Sequence, residues 1–276
     1  MFQPVIPLSG IGGWKFLQST YERQFDSFTK SPQVRNDRDY LIEKFSDPIS
    51  VDDFLSDRRL LRATMTAFDL AGEEWKGGFI RKALEEVADP ESTFLARLNN
   101  SKYTKLAETL QPIDGKIYLS PDDVAKIAVR FETSSFELAV GDVDDNMRLS
   151  LNYQSELADI ANEGSSETAV LYRILGDVPM RTVLQTTLSL PSDISKLTIE
   201  RQAEILKDKL SSTLGISDVH DLNSPEMIEK VINRFHAIES ISGGPSSYTP
   251  ASAALTLLSN GVGSQASENL FLSLLL

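Results

Sequence analysis

The 276-residue chain has no cysteine, two histidines, and 27 lysines and arginines against 40 aspartates and glutamates. Without cysteine there is no disulfide, no thiolate zinc site and no cysteine nucleophile. The redox compartment stays open, because a cysteine-free chain survives in either environment. The shortage of base leaves a net charge of −13. That argues against nucleic acid or an anionic membrane as partner, since phosphate binding needs clustered cations. Arg58, Arg59 and Arg62 form the densest basic group, and at helical spacing they read as one solvated edge. No apolar run approaches the roughly 20 residues that span a bilayer. The opening MFQPVIPLSGIGGWKF has no basic stretch ahead of an apolar core, so it does not read as a Sec signal. The expectation is a chain that stays in the cytoplasm or leaves it without a cleaved signal. Strand signals are scarce as well. Residues 116–119 (KIYL), with Gly115 before them as a turn, are the one short β-like run.

Helical periodicity is abundant. Trp14, Leu17, Tyr21, Phe25 and Phe28 recur at steps of three or four, the face of an amphipathic helix. Trp75, Phe79, Ala83, Leu84 and Val87 trace a second such face, and Val124, Ile127, Ala128 and Phe131 a third. Ser120-Pro121-Asp122-Asp123 and Ser224-Pro225-Glu226 are helix starts. Each has a capping serine, proline in the first turn, and acid at the positive helix end. Residues 1–13, with Pro4, Pro7, Gly10, Gly12 and Gly13, read as irregular.

The chain also resembles itself. DFLSDRRLLRATMTAFDL at 53–70 aligns without a gap on RILGDVPMRTVLQTTLSL at 173–190 when Asp57 is set over Asp177. Apolar character is kept at Phe54/Ile174, Leu55/Leu175, Leu60/Met180, Phe68/Leu188 and Leu70/Leu190. A second matched pair opens on Asn-Ser: NSKYTKLAETL at 100–110 and NSPEMIEKVINRF at 223–235. A unit seen twice predicts an all-α, multi-helix protein of two related helical lobes made by internal duplication. The expected organisation is an irregular segment at 1–13, a first lobe at 14–115, a second at 116–241, and a linker with an apolar tail at 242–276. Asp57 and Asp177 each precede a matched helix and are expected to cap it.

Catalytic and metal signatures do not assemble. His220 sits between Asp218 and Asp221, but a zinc site wants three or four ligands at motif spacing. His236 falls near a predicted helix end, where a cation suits the dipole. Gly141–Asn146 starts like a calcium loop, then has Met147 where the turn needs glycine and Tyr153 where a bidentate glutamate belongs. Gly10-x-Gly12-Gly13 lacks the preceding strand of a phosphate loop. Asp52-Asp53, Glu73-Glu74 and Glu85-Glu86 are sequence neighbours that do not face each other on a helix. No cofactor or metal is expected, and the chain reads as a non-enzyme. Carboxylates gathered from distant helices with shifted ionisation would favour an enzyme instead.

Residues 54–110, beginning FLSDRRLLRATMTAFDLAGEEWKGGFIRKALEE, and residues 171–210, beginning LYRILGDVPMRTVLQTTLSL, resemble the family called domain of unknown function 1217. The likeness in order and character runs from about residue 14 to 238. It carries no catalytic motif. The resemblance implies a helical alphaproteobacterial protein, often encoded among flagellar genes. The function expected is a flagellum-associated structural, assembly or export-linked interaction protein; the alternative is a cytoplasmic chaperone or regulator of a basic client. The partner is then a protein, flagellar on this resemblance, or a second copy of the chain. The residues expected to meet it are Trp14, Leu17, Tyr21 and Phe25 near one end, and Leu270, Phe271, Leu274, Leu275 and Leu276 at the other.

Overall fold

Serine, asparagine and aspartate at helix starts set many of the element boundaries. A computed structural model describes residues 2–242 apart from 88, 90, 99 and 163–165. In order it contains α1 (Gly10–Thr29), α2 (Pro32–Phe45), β1 (Ile49–Ser50), α3 (Val51–Ser56), α4 (Arg58–Ala67), α5 (Gly77–Glu86), α6 (Phe94–Leu98) and α7 (Ser101–Thr109). There follow β2 (Pro112–Ile113), β3 (Lys116–Ile117), α8 (Pro121–Gly141), α9 (Asp145–Asn162), α10 (Glu167–Gly176), α11 (Val178–Thr187), α12 (Ile199–Lys209) and α13 (Pro225–Ser242). Side-chain oxygens of Ser50, Asn100, Ser120 and Ser166 accept from the free amides that open α3, α7, α8 and α10.

The all-α expectation holds in the main. Three two-residue strands join as an antiparallel sheet in the order β1-β3-β2, with Ile49 opposite Ile117 and Pro112 opposite Ile117. Asp114 and Gly115 both take positive φ, 51° and 75°, which makes the tight β2–β3 turn.

Two expectations need correction. The glycine-rich opening is not irregular throughout, because α1 begins at Gly10. Gly13 is pressed against the Leu8 carbonyl, where a Cβ would lie 1.8 Å away, so this glycine permits close packing. Residues 2–9 form a strap ahead of α1, and buried Gln24 clamps it by accepting from Val5 N–H at 2.7 Å and donating to its carbonyl at 3.1 Å. The boundary drawn at 115–116 also fails as a division of the core. α8 starts just past it and packs on α2 and α4 as well as on α9, while α1 packs on α13. One continuous apolar core therefore runs from Trp14 to Phe235.

The two Asp-centred hairpins match in local geometry. Asp57 separates α3 from α4 and accepts from Arg59 and Leu60 N–H; Asp177 separates α10 from α11 and accepts from Met180 N–H. At the same distance past each, Asp69 and Ser189 take φ of 55° and 52°. Leu70 and Leu190 N–H then close onto the carbonyls of Met65 and Gln185, both at 2.8 Å. The second matched pair does not correspond in space. α7, after Asn100, packs on α5, whereas α13 packs on α11 as α8 packs on α4. The shared Ser-Pro-acid start of α8 and α13 was the better guide, because capping marks a helix start directly.

The two aspartates carry different loads. Asp57 is partly exposed and also accepts from the Tyr40 hydroxyl at 2.6 Å. Asp177 is buried and holds the Lys102 ammonium at 2.8 Å. Asp57→Ala should cost about 1 to 2 kcal/mol. Asp177→Ala should cost about 3 kcal/mol or more, since it strands a buried cation. Urea unfolding of both variants measures this; equal losses would mean the ion pair adds nothing beyond the cap.

Candidate functional site

Lys102 and Lys105 stand one turn apart on α7 and reach across to the second half of the chain. Lys102 pairs with Asp177 at the α10–α11 junction. Lys105 lies 3.1 Å from Asp159 and 4.0 Å from Glu156, both on α9. Arg130 of α8 shares Asp159 at 2.8 Å. Asp69, at positive φ just past α4, is half-buried beside Lys102 and the Ser134 hydroxyl. Glu137, one turn beyond Ser134 on α8, completes the cluster. Its carboxyl accepts from the Ser155 hydroxyl at 3.3 Å and from the Asn152 amide.

Burial and pairing pull these groups in opposite directions. Burial alone would lower Lys102, but the nearby Asp177 and Asp69 carboxylates outweigh it and raise it. Burial lifts Asp69 and Glu156 above the usual carboxylate range despite the lysines. Asp159 is held low against its burial by Lys105 and Arg130. Glu137 has no cation beside it. Burial, reinforced by the Asp69 charge, pushes it up to about 8, so it keeps its proton at neutral pH.

Carboxylates from α8, α9, the end of α4 and the α10–α11 junction thus do meet. Lys102, Lys105 and Arg130 occupy most of them, which makes the cluster a cross-brace between the halves. The acid pairs singled out in the sequence lie elsewhere. Asp52 and Glu85 pair with Arg81, and Glu73 accepts from the Tyr103 hydroxyl. Among the described residues no set of three or more histidines and acids is placed to hold a metal ion.

His236 departs from its expected role. It is buried within α13, not charged at its end. Its Nε2 lies 3.0 Å from Ser150 Oγ, and its ring stacks on Trp14 with centroids 6.0 Å apart. Ser150 donates to the Asn146 carbonyl at 2.8 Å, so the histidine is the donor to Ser150. Burial lowers His236 to about 4, leaving it neutral. Nothing in the local sequence signals this long-range pair. His220 bonds Asp218 at 2.6 Å at a short 3₁₀ turn. In the would-be calcium loop, Asp144 accepts from Asn146 and Met147 N–H, as a helix cap does.

The residues expected to meet a partner divide three ways. Trp14 and Leu17, 1% and 0% exposed, are spent on the core and offer nothing outward. The reason is that α1 lies against α13, so its apolar face is covered from within. Tyr21 and Phe25 are half-buried, each edge-on to Phe136 at 5.3 and 5.5 Å. Leu270, Phe271, Leu274, Leu275 and Leu276 lie outside the described residues. The other tryptophan was misplaced by periodicity. Trp75 is not on the apolar face of a helix, because α5 begins only at Gly77 and leaves it in the preceding loop, 78% exposed. That loop is ordered. Glu73 N–H bonds Leu70 at 3.1 Å, Lys76 N–H bonds Glu73 at 2.9 Å, and the Lys76 ammonium lies over the indole and within 2.9 Å of Glu73.

A family model described as "Protein of unknown function (DUF1217)" matches residues 67–228. The chain belongs to this family. The DUF1217 match spans Trp75 and the whole charged cluster, and leaves α1 to α3 outside it. The crystal structure of protein AGR_C_984 from Agrobacterium tumefaciens is similar in fold, with a TM-score of 0.66 at 22% identity over 87% of this chain and 99% of that one. No curated protein matches. Among the described residues of this DUF1217 protein no helix is long and apolar enough to cross a membrane.

The two perturbed groups give opposite pH slopes. Glu137 titrates near 8 folded against 4.5 unfolded, so the unfolded state loses its proton first and stability falls as pH rises between those values. His236 titrates near 4 folded against 6.5 unfolded, so stability falls as pH drops through that window. Glu137→Gln should flatten the alkaline slope and add more than about 1 kcal/mol near pH 8. His236→Gln should flatten the acid one. Urea unfolding across pH, with both slopes unchanged in the variants, would refute these assignments.

Proposed function

We propose that this DUF1217 protein is a non-enzymatic interaction protein of the bacterial flagellum, structural or export-linked in role. The observation that carries the interaction reading is Trp75. Tryptophan is the residue most enriched where binding energy concentrates, and a large indole left in water favours burial by a partner. Here it stands on a loop fixed by backbone bonds and by Glu73, so little ordering cost remains on binding. The flagellar assignment rests on the resemblance to a family often encoded among flagellar genes. Membership of that family supports it. We further infer that the two Asp-centred hairpins derive from one duplicated unit. In each half a helix (α2, α9) precedes the hairpin and packs on its second helix (α4, α11), which then receives a later long helix (α8, α13).

Complementation of a deletion strain tests the functional reading. Wild-type protein should restore swimming and fractionate with flagellar basal bodies or culture medium. Trp75→Ala should fold with stability within about 0.5 kcal/mol, as expected for a surface change, yet swim as poorly as the deletion. Full swimming and unchanged fractionation by Trp75→Ala would remove Trp75 from the interaction. Normal swimming of the deletion itself would remove the flagellum.

A further inference from the structure

Between α1, α8 and α9 lies a cavity of about 510 Å³. Its lining includes two carboxyl groups, Glu22 and Glu137, and no lysine, arginine or histidine. Glu137 is 7% exposed and is the member of the buried cluster that no cation faces. Asp177, Asp159 and Glu156 all have a lysine ammonium within 4.0 Å. Tyr21 also lines the cavity and brings aromatic surface to it.

Carboxyl groups and an aromatic ring with no opposing positive charge are what a cation needs. We propose that this cavity receives one basic side chain of a partner protein, its guanidinium or ammonium group drawn to Glu137, Glu22 and the Tyr21 ring. The proposal rests on the protein-interaction reading and names a partner chemistry for a second surface, distinct from Trp75.

The entry of the cation is coupled to a proton. Free Glu137 is protonated at neutral pH, and its neighbours keep it so: Asp69 at the end of α4 and Glu156 on α9 both oppose its ionisation. Tyr21, facing it from α1, is pushed up to about 12 by burial and by Glu137, and stays neutral. A cation in the cavity favours the carboxylate, and the proton leaves to solvent. Affinity therefore rises with pH until Glu137 is ionised in the free protein.

Isothermal titration of the full chain with acetyl-Gly-Arg-Gly-amide tests this, with the citrulline peptide as neutral control and agmatine as a free guanidinium. The arginine peptide should saturate, bind about tenfold or more tighter near pH 8.5 than near pH 6.5, and release a proton, read from buffers of different ionisation heat. The citrulline peptide should not bind. Glu137→Gln should fold, lose about tenfold or more in affinity at pH 8.5, and lose the pH dependence. Glu22→Gln should bind more weakly than wild type. Trp75→Ala should bind the peptide as wild type does, which keeps this test separate from that of the Trp75 surface. No saturation by the arginine peptide, equal binding by Glu137→Gln, or binding of agmatine with exclusion of the peptide would each overturn the proposal.

Discussion

The ion pair between Lys102 and Asp177 is the constraint around which the middle of this protein is arranged. Asp177 caps α11 through Met180 N–H and at the same time neutralises an ammonium delivered from α7. Neither role can be given up alone, because removing one partner leaves the other charge buried. The adjoining Lys105 and Arg130 extend the same brace to α9. Such a brace contributes modest net stability. What it fixes is geometry, since each charge has few places where it is satisfied. Glu137 is the exception within it. Its environment is set by the brace, yet no cation of the brace faces it.

Features with a local cause were legible in the sequence. Asp57, Asp177 and Ser120 cap because a short acceptor beside free amides suffices, and their helices begin where those residues stand. The apolar spacing of Trp14, Leu17, Tyr21, Phe25 and Phe28 marked α1 correctly. Whether such a face meets a partner or the chain's own core is decided by another helix, and α13 decided it for Trp14. The charged cluster has no local signature at all. Its members come from α7, α8, α9, the end of α4 and the α10–α11 junction, and sequence proximity joins none of the pairs across those elements. The contact between Ser150 and His236 has no local signature for the same reason.

Periodicity misled where glycine intervened. Trp75 keeps step with Phe79 and Ala83, so it joined their helix on paper. α5 begins only at Gly77, two residues beyond Trp75, and opens on the weak helix formers Gly77 and Gly78. The internal match was similarly uneven. Where Asp57 and Asp177 anchor it, backbone geometry agrees down to the left-handed residues that follow. Where it rested on Asn-Ser, the paired segments lie in different surroundings, because that dipeptide is a common helix opening and says little about which helix follows.

The clamp of Gln24 on Val5 has a further consequence. The bonds are to the peptide group and not to the side chain. The amide of Gln24 acts as a one-residue strand, reading main chain in the way a sheet edge would. The strap can therefore change its side chain at position 5 without losing its anchor, provided the residue keeps its N–H, and proline alone among the standard amino acids lacks one. Position 24 has no such latitude. A glutamate there would present two acceptors to a site that offers one donor and one acceptor, so the tolerance of the strap is bought by the fixity of the helix beneath it.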